Sequence, residues 1–497
     1  MKRLFFLPLL AFSLSALEVD AIYQSHLVLQ QGRPVPISGT ASGSEAVVVS
    51  FGDQKVEAKV KKGRWQAVLA PMAAQAEGAP LSITQGSESV VLEDVVVGEV
   101  WLASGQSNMF YRLEETPDKA AQQHPEIPGL RFYQAEPQVE TPRAVYNQET
   151  RQRLKDGDMY RGSWSVSSPK TAARTSAVGW YFGKRLQSTL GVPVGIIHVS
   201  YGGSEMLAWM PHDILAAKYP ESLKDNWMHD ANVDPYWVGP RAALNQGKDL
   251  STPHPYTPGY LYKTGITPWF NFPIAGIIWY QGESDAPIPN TKRNHRVLTD
   301  LINAWRRDFK APELPFLMVQ LPRIKDTPRR DRVLWPEFRD VQSRVSRELP
   351  KVYRAVTIDL GTTNYNVHPP RKLEVGERLA AIAAAEVYGK DVPCYGPSLD
   401  RVVAKGDRVA LHLHHAEGLR TTNGAAPACF EISADGKTYH PATAELQGET
   451  VLLSSSEVKK PKFVRYAWAT FVEPNLVNAA GLPMEPFGGT SVGRPKK

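Results

Sequence analysis

The sequence predicts an α/β protein, a parallel-sheet core with a β-rich module on either side. Five runs in the middle of the chain, Val95–Ala103, Val194–Val199, Ile274–Tyr280, Phe316–Leu321 and Tyr353–Leu360, are apolar almost throughout, as strands covered on both faces tend to be. Amphipathic helical segments alternate with them, and strand–helix alternation is the pattern of an open α/β sheet. Both flanks instead consist of short apolar stretches broken by Gly, Pro, Ser and Asp, with no helical period. A chain of 497 residues has room for about two to four domains.

Residues 1–16, MKRLFFLPLLAFSLSA, place two basic residues before an apolar run and small residues. That is the layout of a secretory leader cut near Ser15/Ala16, and it predicts export to a periplasmic or extracellular compartment. The run is shorter than the about 20 residues a membrane span needs, and no later segment reaches that length. Residues 17–93 read as an N-terminal β module, with HLVLQQGRPVPISG, GRWQAVLA and PLSITQG among its strands and turns. Residues 94–394 read as the α/β domain. Val178, Phe182, Leu186 and Leu190 share one helix face; Leu298, Leu301, Ile302, Trp305 and Phe309 share another; Lys372–Val387 is Ala-rich and helical. Within this domain, 212–269 is rich in Trp, Tyr, Pro, Asn and Asp with little periodicity. An irregular insertion that long inside a compact domain is usually functional, so it is expected as a cap or substrate-facing excursion. Residues 395–487 return to the β texture, and 488–497 form a tail.

Composition narrows the function. The excess of 57 Lys+Arg over 51 Asp+Glu is small, and Lys2, Arg3, Arg494, Lys496 and Lys497 at the two ends supply much of it. Nucleic-acid binding would need basic residues gathered on one face. The 2 cysteines, Cys394 and Cys429, exclude a disulfide scaffold and a zinc-ribbon pattern. Export would permit one bridge between them, which spacing alone does not decide.

In open α/β sheets, ligands bind beyond the carboxyl ends of the strands. After the first apolar run comes SGQSNM, with Ser107. After the second comes SYGGSEMLAW, with Gly202 and Gly203. After the third comes YQGESDA, with Gln281, Glu283 and Asp285. After the last comes GTTNYNVHPPRK, with His368. Singly, each has a plain structural role: Ser and Asn favour turns, a Gly pair makes a tight turn, an amide caps backbone. Their coincidence at four strand ends points to catalysis. A serine hydroxyl becomes nucleophilic when an adjacent base takes its proton, and His is the commonest such base. The oxyanion formed on an ester carbonyl needs fixed donors, which Ser107, Gly202, Gly203 and Gln281 could supply. Neither a phosphate loop nor a metal-ligand cluster nor a dinucleotide fingerprint is present, so neither a metal nor a cofactor is expected.

The segments VGEVWLASGQSNM, VPVGIIHVSYGGSEMLAWM, IIWYQGESDA and NVHPPRKLEVGERLA resemble the signature segments of the sialate O-acetylesterase family, a branch of the SGNH-type serine hydrolases. HLVLQQGRPVPISGTA and VRYAWATFVEPNLVNAAGLPMEPF extend the resemblance to both flanks. It implies a flavodoxin-like α/β/α SGNH hydrolase core flanked by N-terminal and C-terminal β-sandwich-like modules, acting on an acetylated carbohydrate. It further implies Ser107 as nucleophile, His368 as base, Gly203 or its neighbour Gly202 as backbone donor, and Gln281 in place of the Asn of the wider group. The chain departs from that pattern at Tyr365, where SGNH enzymes commonly carry an Asp three residues before the His. Either a Ser–His dyad suffices or another acid serves, with Glu283, Asp285 and Asp359 as candidates. Lys263 and Asp285 depart at positions that bear on the sugar, which leaves acetylated xylan or another glycan as an alternative substrate. Trp209, Trp227, Tyr236 and Trp237 are candidate sugar-stacking residues. A sugar-binding surface protein that kept the fold and lost catalysis is the alternative of another class; the presence of both Ser107 and His368 argues against it.

Overall fold

The computed structural model describes residues 17–328 and 331–493, so the leader read at 1–16 lies outside the described residues. Its centre is an 11-stranded sheet built on one strand, β1 (Glu88–Gly105). Around β1 lie β2 (Ile127–Pro137), β3 (Tyr160–Ser167), β4 (Val194–Ser200), β5 (Gly276–Tyr280), β6 (Phe316–Val319) and β7 (Val352–Ala355). Their order is β3-β2-β4-β1-β5-β6-β7. Every pairing is parallel except that of the edge strand β3 with β2.

β1 changes character along its length. Its first residues alternate in burial and pair antiparallel with Gln75–Gln85, while everything from Val95 to Gly105 is buried. The position 93/94, expected as a module boundary, therefore falls inside a continuous strand. The second half is flanked by β4 and β5 in parallel register, Ile197 opposite Leu102 and Ile277 opposite Leu102.

Successive strand residues point to opposite faces, and two cores result. Trp101, Ile196, Ile278 and Leu317 pack with Val178, Phe182 and Leu186 of helix α1 (Ala177–Leu190) and with Val375 and Leu379 of α2 (Leu373–Ile382). Leu102, Ile197, Ile277 and Phe316 pack with Val297, Leu301 and Trp305 of α3 (Thr291–Asp308) and with Phe338 and Val341 of α4 (Trp335–Glu348). The second core runs on without a break into the N-terminal strands through Leu29, Val35 and Trp65. A third core, with Leu411, Phe430, Val451 and Tyr466, lies in the C-terminal region, whose strands form two 4-stranded sheets and a 2-stranded one.

Three further features differ from the sequence reading. β2 and β3 have no counterpart among the expected strands, because Arg131 and Gln134 interrupt the apolar run of β2. Arg131 is nevertheless buried, its guanidinium hydrogen-bonding the Asp94 carbonyl and carboxylate. β7 stops at Ala355 rather than Leu360. The 212–269 excursion is made of short helical turns, including His212–Lys218 and Val238–Gln246. Inside it, buried His254 faces Asn245 Oδ1 through Nε2 at 3.1 Å and accepts from the Tyr256 N–H through Nδ1 at 3.0 Å. Cys394 and Cys429 are both free. Among the described residues, no helix is long and apolar enough to cross a membrane.

Where β1 ends, its neighbours hold it on both edges. The Gln106 N–H donates to the Tyr280 carbonyl at 2.9 Å, and the Tyr201 N–H donates to the Gly105 carbonyl at 3.1 Å. Gly105 sits at φ +137°, and a Cβ there would lie 2.1 Å from the Tyr280 oxygen. Strain and overlap add at this point, so Gly105→Ala should lower the free energy of unfolding by about 3 kcal/mol. Denaturant titration checks this; an unchanged midpoint would show that the strand end has room to move.

Candidate active site

The sheet order reverses at β1: the chain runs from β1 to β2 and β4 on one side, then crosses to β5 on the other. A crevice forms beyond the carboxyl ends of strands at such a reversal. A cleft of about 450 Å³ occupies this place, bordered by Ser107, Gly203, Trp237, Glu283, Arg332 and His368.

Ser107 is the first residue of a single helical turn, Ser107–Phe110. His368 lies in the loop after β7, and its Nε2 is 2.8 Å from Ser107 Oγ. Asn108 joins these two segments, although 259 positions separate it from its loop partner. Its amide nitrogen donates to the Val367 carbonyl at 2.9 Å and to Glu283 Oε1 at 2.5 Å. Its amide oxygen accepts from Lys372 Nζ at 2.5 Å. Lys372 is buried, with Nζ 4.8 Å from the Tyr111 ring centroid and 5.3 Å from that of Tyr280. A buried, fully partnered amide fixes the serine turn, the histidine loop and an acid–base pair in one place.

Burial governs the charges. It pushes Lys372 down to about 7 and raises Glu283. It also pushes His368 down to about 4, with the cations Lys372 and Arg332 acting in the same direction. At neutral pH the imidazole is therefore uncharged and able to accept a proton. Glu205, Asp285 and the cleft-lining Asp234 are all buried, and burial raises all three, Asp234 to about 6 and Asp285 to about 7.

Ser107 and Gly203 carry backbone N–H groups at the cleft that have no acceptor among the described residues. For Ser107 this follows from its place in the first turn of a helix. Gly202 borders the cleft beside Ser107. Several other expected residues have different partners. Gln281 is buried and directs its amide nitrogen to the Ser204 carbonyl at 3.2 Å and to Asp285, not to Ser107. Asp285 is thereby a partner of Gln281 and of the Met206 N–H, at 3.1 Å. Asp359 forms a bidentate pair with Arg378 at 2.7 Å for both oxygens, so its charge is neutralised away from the imidazole. Glu283 faces Asn108 rather than His368. Tyr365 is 49 % exposed and accepts from Arg332 through its carbonyl at 3.2 Å. No carboxylate among the described residues is hydrogen-bonded to His368 Nδ1. Of the four aromatics, Trp209 and Trp227 are buried, Trp209 donating to Ser204 Oγ at 2.9 Å. Tyr236 and Trp237 border the cleft and are 41 % and 43 % exposed.

Asn108 and Lys372 were legible as positions, since both stand in the motifs that contain Ser107 and His368, but nothing local marks them as partners. Tyr256 and Asp234 come from the aperiodic excursion and Arg332 from the segment before α4, where no local signal singles them out.

Comparison with known proteins gives the class. Residues 261–385 match the family described as carbohydrate esterase, sialic acid-specific acetylesterase. The chain is similar to a carbohydrate acetylesterase structure from Xanthomonas citri, with 28% identity, a TM-score of 0.78, and coverage of 95% of this chain and 98% of the other. These matches and the α/β architecture define a carbohydrate-ester hydrolase. Sialate O-acetylesterases of Rattus norvegicus and Homo sapiens are each 27% identical over 90% of this chain, covering 88% and 87% of their own lengths. The chain is thus similar to sialate O-acetylesterases over most of its length, and residues 261–385 carry the sialic acid-specific acetylesterase match.

Lys372 bears on His368 through its charge. Lys372→Met removes a cation that opposes protonation of the imidazole, so the acid limb of the pH–rate profile should move to higher pH. Lys372→Arg keeps the charge and should leave the limb near its original position. Profiles measured with an activated acetyl ester decide this, and a limb unmoved in both variants would show that the lysine charge does not reach the imidazole.

Proposed function

We propose that the chain is an exported carbohydrate O-acetylesterase that removes acetyl groups from sialic acid by a Ser107–His368 mechanism. The observation that carries this reading is the 2.8 Å approach of His368 Nε2 to Ser107 Oγ at the sheet reversal. Neutral His368 takes the Ser107 hydroxyl proton as Oγ attacks the acetyl carbonyl carbon. The tetrahedral oxyanion is met by the N–H groups of Ser107 and Gly203, which have no competing intramolecular acceptor among the described residues. As the carbon–oxygen bond to the sugar breaks, His368 returns its proton to the departing alkoxide. Water, deprotonated by His368, then hydrolyses the acetyl-enzyme to acetate and free Ser107. A dyad fits the pairing of Asp359 with Arg378.

The core follows a flavodoxin-like plan in this reading. β4-β1-β5-β6-β7, numbered by chain order among themselves, run 2-1-3-4-5, which is that arrangement of a doubly wound sheet. The flanking strands would be two β modules, 17–93 and 395–487.

One observation favours a second substrate. The cleft border carries the carboxylates of Asp234, Glu283 and Asp331 against one guanidinium, Arg332, whose Nε is 3.7 Å from Asp331. That charge pattern suits an uncharged acetylated glycan such as xylan, whereas a sialic acid carboxylate would depend on Arg332. Ser107→Ala should abolish acetate release from a chromogenic acetyl ester while leaving the unfolding transition in place; undiminished turnover would overturn the mechanism. Rates on O-acetylated sialic acid and acetylated xylan separate the substrates. For sialate, Arg332→Gln should depress turnover of the anionic sugar more than that of the chromogenic ester.

A further inference from the structure

We propose that Tyr256 is a positioning residue that orients and polarises the oxyanion donor at Gly203, and that Trp237 couples it to the sugar-facing wall of the cleft; this deepens the esterase reading above and rests on it. The chain of contacts has one direction. The indole N–H of Trp237, which can only donate, reaches Tyr256 Oη at 3.1 Å. The Tyr256 hydroxyl donates to the Gly202 carbonyl at 2.9 Å. Thr141 Oγ1 lies farther from the same hydroxyl, at 3.4 Å. Tyr256 is buried, which holds its hydroxyl in the protonated, donating form.

The Gly202 carbonyl and the Gly203 N–H belong to the same peptide unit. No cis bond occurs among the described residues, and in a trans peptide these two groups point in opposite directions. Holding the carbonyl against Tyr256 therefore fixes the line along which the N–H points, away from the phenol. Successive hydrogen bonds donated in one direction also polarise one another. Density drawn onto the Gly202 oxygen leaves the Gly203 N–H a stronger donor to a developing oxyanion.

The packing leaves no slack. Gly203 has φ +76°, and a Cβ there would lie 2.4 Å from Trp237 Nε1 and 2.5 Å from Tyr256 Oη. From behind, the Tyr256 N–H is held by His254, itself set against Asn245. The guanidinium of Arg241 stacks on the Trp237 ring at 4.6 Å from its centroid, and donates to the Thr141 carbonyl at 2.7 Å. Trp237 is thus braced on one side while 43 % exposed at the cleft. A sugar ring resting on it would press on the same indole whose N–H feeds the donor relay.

Steady-state kinetics on the intact chain test this with a chromogenic acetyl ester. Tyr256→Phe keeps the ring and removes the hydroxyl. It should lower kcat about tenfold with KM within about twofold, because the interaction strengthens only as the oxyanion forms. Trp237→Phe should lower kcat by a smaller factor. The double variant should be no slower than Tyr256→Phe alone, since the indole N–H acts through the hydroxyl. Unchanged kcat in Tyr256→Phe, or losses that multiply in the double variant, would overturn the relay. Should Tyr256→Phe fail to fold, Trp237→Phe decides: reduced kcat at unchanged KM supports the coupling, and wild-type kcat overturns it. An unmodified chain that releases no acetate would instead count against the esterase reading itself.

Discussion

The position of Ser107 depends on the hydrogen-bonded closure of β1 at its carboxyl end. β4 and β5 hold the strand on both edges up to Gly105, and the bonds to Tyr280 and from Tyr201 continue that grip into the turn. Only glycine meets the approach of the Tyr280 carbonyl there. Because the faces of the strand are covered by separate cores, the turn cannot tilt without disturbing helices on either side. A serine on such a base is held by the architecture rather than by its own loop.

Asn108 extends that rigidity to the rest of the site. Its one side chain makes contacts to the loop of His368 and to Lys372, which follow β7, and to Glu283, which follows β5. Burying an acid and an ammonium group is costly unless each finds a partner. Here the amide serves both, giving its N–H to the carboxylate and its oxygen to the ammonium. Burial keeps His368 neutral, with the cations Lys372 and Arg332 acting in the same direction, and this is the state its proposed role as general base requires.

The excursion between β4 and β5 acquires a physical role from the same geometry. Its aperiodic sequence folds into short helical turns and brings Tyr256, Trp237 and Asp234 to the cleft that His368 also lines. Indole, phenol and glycine meet there at contact distance. The small-residue turn after β4 is thereby set by side chains from another part of the chain.

The apolar runs of the core strands, the period of the helices and the turn residues at the strand ends were legible in the sequence, because burial and backbone period act on neighbouring residues. So were Ser107, His368, Gly202 and Gly203, whose residue types suit the chemistry wherever they lie at a strand end. β2 was not, since Arg131 is buried through partners at Asp94 that its own segment does not contain. Gln281 and Asp359 suited their expected roles by type, yet their partners, Ser204 and Asp285 in one case and Arg378 in the other, turn them elsewhere. What the sequence by itself determined was which groups stand at the ends of buried strands. Only the tertiary structure decided which of them face one another, because a hydrogen bond between residues hundreds of positions apart is a property of packing and leaves no local pattern.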